Sequence, residues 1–390
     1  MSESAVTIGK SERVEWVDVA KGLGIFLVFY GHYVDKMAAQ GMPAATLQMS
    51  WIYSFHMPMF FFLVGLVYKR RDLKPAEFLK RQIRTRLLPV WIFNVLGLFI
   101  WFGVEYIKGP EGLLATYRSQ DLWSEVFTKL KEVFIYGRPG YNVLTWFLVC
   151  LFMIELWQYL LRDRVRTTRA LLISLLIFGA LAALASLYNE TITENFGRNL
   201  LRWDLLPSLM AMCFYQLGIL CRQTAFFAKP ASSVARGALS LVCLVVLLAV
   251  FNLNQAFETV PPPRVPLMVN AQYGNVGWFF ITSLAGTGFV VYLSQLLSFS
   301  RLLVRLGGIT LGLMLLDGYW HLFANEPLVN WVMQRFARED AAFLTVHCLV
   351  ITLGSLALSW PLTVLMERYA PFLLGRSMTR KPNAARVPAD

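Results

Sequence analysis

Charge is scarce in this chain. Asp, Glu, Lys and Arg make up 15% of its 390 residues, against about 25% in an ordinary soluble domain. That poverty excludes a soluble enzyme and a disordered chain. Acidic residues are scarcer than basic ones, 24 against 36, for a net charge of +12. The basic residues sit in short blocks between apolar runs, which suits membrane orientation and not nucleic acid, so no nucleic-acid partner is expected. Cysteine is sparse too. Cys150, Cys213, Cys221, Cys243 and Cys348 lie in or beside apolar runs without a CxxC pair. They read as small membrane hydrophobes, with no metal site and no disulfide framework expected. The chain shows no internal repeat, no low-complexity segment and no linker long enough to separate a second domain. It also shows no cleavable signal peptide. The first 18 residues are polar and include Glu3, Glu12, Glu15 and Asp18, so the first apolar run is expected to be a retained helix.

What is present is apolar. Hydrophobic residues reach 57%, aromatics 14%, and mean hydropathy is +0.53. This composition implies an all-α, polytopic integral membrane protein. Length and apolarity give about ten transmembrane helices, near 19–37, 50–68, 87–107, 143–161, 169–188, 205–221, 235–253, 275–297, 308–324 and 341–366. The ninth is short and Gly-rich. Lys and Arg crowd the connections after the even-numbered candidates, as in Lys69, Arg70, Arg71, Lys74, Lys80, Arg81, Arg84 and Arg86 and again in Arg162, Arg164, Arg166 and Arg169. The positive-inside rule then puts both the N and C termini in the cytoplasm, consistent with an even number of spans. One membrane domain over 1–390 is expected, with a cytoplasmic N-terminal segment 1–18, a transmembrane core 19–366 and a cytoplasmic tail 367–390.

All four histidines, His32, His56, His321 and His347, fall inside candidate spans. Ionisable groups there are costly and usually face a cavity or a partner. Counted along the helices at about 1.5 Å per residue, all four lie in the outer half of the bilayer, which suggests one polar cavity. Lys21 and His32 are separated by about three helical turns, on nearly the same face and about 16 Å apart. Asp35 is one turn beyond His32. It either accepts a hydrogen bond from one ring nitrogen, fixing the tautomer, or marks the outer water interface. In the second span Pro58 frees a carbonyl and kinks the helix beside His56. Arg81, Arg84 and Arg86 sit at the inner mouth of the third span. They read either as an orientation signal or as a site for a phosphate-bearing ligand, because guanidinium forks suit phosphate oxygens.

These residues resemble membrane acyltransferase family three, whose members O-acylate bacterial surface and secreted polysaccharides and include fucose 4-O-acetylase-like proteins. The resemblance runs over about 13–375. It rests on Asp18, Lys21 and His32 in the first span, Phe55-His56-Met57-Pro58 through Gly65 in the second, and the basic stretch Arg81–Pro89. Trp146-Phe147-Leu148, Tyr273-Gly274-Asn275, His321 and Pro371–Gly375 add to it. The family's usual Ser before Gly65 is Val64 here.

The resemblance implies a membrane O-acyltransferase taking acetyl from cytoplasmic acetyl-CoA, with no metal. The acceptor would be a hydroxyl of an extracytoplasmic or exported polysaccharide. Lys21, Arg81, Arg84 and Arg86 would hold the CoA phosphates while the pantetheine arm reaches the histidines. His32 would be the general base, supported by Asp35. His56, His321 or a backbone N–H near Pro58 would steady the developing oxyanion. The expected setting is the bacterial inner membrane, among lipid, with polysaccharide-synthesis or export machinery as a further partner. A transporter or flippase for a glycan or acyl intermediate is the competing reading.

Overall fold

Helix start signals recur along the chain, and the computed structural model follows them. It describes residues 14–109, 119–138, 140–188, 202–227, 232–254, 266–336 and 340–376. The expected N-terminal segment and tail therefore lie partly outside the described residues, at 1–13 and 377–390. The described chain is helical throughout, with one isolated β-bridge, Leu267–Gln272, and no strand among the described residues. Among the described residues, nine helices are long and apolar enough to cross a membrane, or ten if a pair bent by 68° counts as one span.

α1 (Glu15–Ala39) carries Glu15 and Asp18 in its first turn and Lys36 in its last, each matched to the helix dipole. α2 (Pro43–Tyr53) and α4 (Pro75–Gln82) start with Pro at the first helical position. α3 (His56–Leu66) follows α2 after a break at Ser54 and Phe55. The cause is Pro58, which cannot donate to the carbonyl of Ser54. The Ser283 hydroxyl donates to that carbonyl instead, at 2.7 Å.

A five-residue π turn, Ile83–Leu87, joins α4 to α5 (Leu88–Ile107). The basic stretch read as a loop is thus helical, and the third span begins at Pro75. α6 (Ser119–Phe134), α7 (Trp146–Leu161) and α8 (Thr168–Leu187) follow. Then come α9 (Leu205–Gln223), α10 (Ser233–Val250) and α11 (Val276–Leu296). The side chains of Thr167, Ser232 and Asn275 cap α8, α10 and α11.

The ninth candidate differs from expectation. It is two helices, α12 (Arg301–Gly308) and α13 (Thr310–Tyr319), broken at Ile309. A second π turn, Trp320–Ala324, leads into α14 (Asn325–Phe336). α15 (Ala341–Tyr369), capped by Asp340, ends the bundle.

α1 is the buried axis, packed by α2, α11, α12 and α15. Its approach to α12 is backbone on backbone. A Cβ on Gly307 would sit 1.8 Å from the Asp18 carbonyl oxygen, and one on Gly22 would sit 2.6 Å from that of Leu303. Such contacts require residues without side chains. At the periphery, α8 and α10 expose Leu172, Ile173, Leu176, Leu241, Val242 and Val245, the outward apolar surface that lipid would solvate.

Candidate active site

Lys21, Ile25, Val28, His32 and Asp35 recur at a helical spacing that makes one stripe of α1. That stripe lines a cavity of about 440 Å³. Tyr53, His56, Met57 and Phe60 line it from α2 and α3, Trp146 and Phe147 from α7, and Gly308, Thr310 and His321 from the broken ninth span. The short turn Pro266–Val269 lies against the cavity beside these groups.

His32 is 8% exposed. Its Nδ1 lies 2.6 Å from Oδ2 of Asp317, which is 1% exposed. A carboxylate only accepts, so Nδ1 carries the proton and Nε2 presents its lone pair. The sequence offers Asp35 either as this partner or as a mark of the outer water interface. The structure places Asp317 there instead, because α13 brings its last turn against α1, while Asp35 lines the cavity one turn away.

Asp317 is held from behind. Asn142 donates to the carbonyl of Leu315 at 2.8 Å. The Tyr319 hydroxyl donates to the carbonyl of Phe93 at 2.6 Å. Asn94 in α5 accepts from the backbone N–H groups of Gly140, Tyr141 and Asn142 at 2.9, 3.0 and 3.0 Å. Gly318 has no side chain because the Asn142 amide occupies the space: a Cβ would meet Asn142 Oδ1 at 1.9 Å. This scaffold fixes the carboxylate against the imidazole.

His321 sits on the second π turn, its ring 5.0 Å from that of His32 between centroids. One extra residue per turn re-aims a side chain, and such turns recur at functional sites. The Nδ1 atom of His321 is buried without a hydrogen-bond partner among the described residues. Nδ1 of His56 lies 2.9 Å from the carbonyl oxygen of Ile52, which only accepts, so that nitrogen donates. Tyr53 stands between, its ring 6.5 Å from His32 and 4.9 Å from His56. Three of the four histidines thus share the cavity. His347 does not: its Nε2 pairs with the Tyr33 hydroxyl at 2.6 Å on the far side of α1.

A second, basic crevice of about 230 Å³ is lined by Lys69, Arg71, Arg81 and Arg162 with Phe78 and Tyr159. The two rings stack at 4.0 Å, and the Arg162 guanidinium lies 3.9 Å above Tyr159. Nearby, outside the spans, Asp163 joins Arg166 and Arg70. Hydrogen bonds from those two, Arg166 first, hold its carboxyl below the usual carboxylate range.

The expected phosphate ligands therefore divide. Arg81 lines the crevice, and Lys21 lines the cavity, 3.5 Å from Asp18. Arg84 is exposed and lines neither. Arg86 lines both, as does Val64, but its guanidinium is engaged by Glu155 at 2.6 and 3.3 Å.

A family model described as "Acyltransferase domain" matches residues 14–364. No curated protein and no solved structure matches the chain.

Proposed function

Since the chain belongs to acyltransferase family three, and its apolar helices make it a multi-pass membrane acyltransferase, we propose that it moves an acetyl group from cytoplasmic acetyl-CoA to a glycan hydroxyl. The acceptor is an extracytoplasmic or exported polysaccharide, and the setting is a bacterial inner membrane with both termini inside. One observation carries this reading. A single cavity has Lys21 and Arg86 in its wall and also His32, His56 and His321, about three helical turns from Lys21.

The basic crevice behind Arg86 takes the CoA phosphates through Arg81, Arg71, Lys69 and Arg162. The thin, largely uncharged arm passes Arg86 and Val64 and carries the thioester to the histidines. Nε2 of His32 removes the proton from the acceptor hydroxyl as its oxygen attacks the thioester carbonyl carbon. Asp317 holds the neutral tautomer and stabilises the imidazolium that forms. The proton then leaves with the CoA thiolate.

The test is release of free thiol from acetyl-CoA by purified protein in detergent, wild type against His32→Ala. The expected result is slow wild-type release that the variant loses. A variant keeping more than about a tenth of the rate would remove His32 as base, given the usual 10²–10⁴-fold contribution. Where the acceptor is obligatory, a thermal-shift titration with CoA on the same samples decides. A carrier would neither be stabilised by CoA nor release thiol.

A further inference from the structure

An acyl transfer needs a donor as well as a base, because the thioester carbonyl oxygen turns negative as the hydroxyl oxygen adds to its carbon. We propose that Tyr53 is that donor, its phenolic O–H bonding the developing oxyanion. The proposal rests on the acetyl-transfer reading of the cavity.

The hydrogen-bond pattern narrows the choice to Tyr53 and His321, which also lines the cavity and whose buried Nδ1 has no partner among the described residues. Nδ1 of His56 spends its proton on the Ile52 carbonyl, so in the neutral ring Nε2 can only accept. Nδ1 of His32 is committed to Asp317. Asp35 and Asp317 accept only. The Thr310 hydroxyl donates to the Gly307 carbonyl at 2.8 Å. Tyr53, by contrast, lines the cavity, and its hydroxyl has no hydrogen-bond partner among the described residues. Its ring touches both imidazoles, 6.5 Å and 4.9 Å between centroids. It ends α2 at the break before α3, whose first two residues, His56 and Met57, also line the cavity. The positive end of the α3 dipole thus faces the same volume and favours negative charge there, offsetting the carboxylates of Asp35 and Asp317 near Tyr53.

The step balances without a further reactant. Nε2 of His32 takes the acceptor proton, and the acceptor oxygen bonds the carbonyl carbon. The C=O pair moves onto oxygen under the Tyr53 hydrogen bond, with the phenol keeping its proton. Collapse restores C=O and breaks the C–S bond. The thiolate then receives the proton from His32.

The experiment compares wild type, Tyr53→Phe and His32→Ala in inverted membrane vesicles of the producing cells, which carry the native acceptor. Thiol release from acetyl-CoA is normalised to the amount of protein, and the His32→Ala rate is the background. Tyr53→Phe deletes one oxygen that holds nothing in the fold, so its unfolding temperature should match wild type. Its kcat should fall about 10²–10³-fold, the cost of one missing oxyanion donor. Its KM for acetyl-CoA should stay close to wild type, since the interaction is made only in the transition state. S-ethyl-CoA, a thioether without the carbonyl oxygen, should raise the unfolding temperature of both proteins equally. A fall in kcat under about tenfold, or a raised KM with unchanged kcat, would overturn the role of Tyr53 alone. Wild-type vesicles no faster than His32→Ala vesicles would overturn the acetyl-transfer reading beneath it.

Discussion

Replacing Asp317 by Asn keeps the shape of the side chain and removes its charge. The amide oxygen can still accept from Nδ1 of His32, so the resting tautomer survives. What disappears is the attraction between carboxylate and imidazolium once the ring has taken the acceptor proton. With Nδ1 and Oδ2 at 2.6 Å, the charge centres are about 4 Å apart. At an effective dielectric constant of about 20 that attraction is about 4 kcal/mol. Loss of most of it lowers kcat by about 10²–10³-fold. Donor binding is untouched, because Asp317 is not among the cavity-lining residues that face the CoA arm. The assay is thiol release from acetyl-CoA across a donor titration, with Asp35→Asn as the control. A fall of less than about tenfold in the Asp317 variant, with a larger fall in the Asp35 control, would refute the dyad and restore Asp35 as the partner of His32.

Other outcomes follow from the same geometry. Arg86→Met leaves Glu155 buried without its partner and should cost about 3–5 kcal/mol, whereas Arg86→Met with Glu155→Met should recover most of it; thermal unfolding of both reads this. Arg81→Ala should leave the unfolding temperature unchanged and weaken CoA binding, whereas Arg84→Ala should change neither stability nor CoA binding; thermal unfolding and titration calorimetry read the two. Gly318→Ala forces its Cβ onto Asn142; thiol release should fall while CoA still stabilises the protein. His347→Ala breaks the 2.6 Å bond to Tyr33 and should cost about 1–3 kcal/mol of stability, yet leave the rate intact.

Much of the bundle was legible because a membrane span is a local property. About twenty apolar residues announce themselves without any partner, and the structure places helices at each of the expected spans. The breaks were harder. Pro58 announced a kink, but nothing local in Gly308-Ile309-Thr310 announced a 68° bend, which depends on Gly307 and Gly22 letting α12 lie against α1. The histidine cluster was legible from cost: His32, His56 and His321 were too expensive to face lipid. Asp317 deserved the same suspicion. It lies within the ninth expected span, and the argument applied to histidine applies to carboxylate. Asp35 is nearer in sequence, but sequence distance does not register the 285 positions that the fold closes between His32 and Asp317. Tyr53 gave no signal, since a tyrosine near a membrane interface is ordinary. The different settings of Arg84 and Arg86 are not legible for a related reason. The π turn at Ile83–Leu87 decides which guanidinium points inward, and no periodicity rule based on 3.6 residues anticipates it.

The wall shared by the cavity and the basic crevice has a consequence for the cell. A pathway reaching from one side of a bilayer toward the other is a hazard, because water and protons admitted along it would discharge the gradient that powers the cell. Here the route is interrupted where Arg86 locks onto Glu155 beside Val64. It is also bordered by the apolar turn Pro266–Val269. The pair of Arg86 and Glu155 is formally neutral and closed by hydrogen bonds at 2.6 and 3.3 Å, so it blocks the passage by contact and not by net charge. On the proposed reading, the septum would let the thin arm of an acyl donor through and otherwise keep water and ions from crossing.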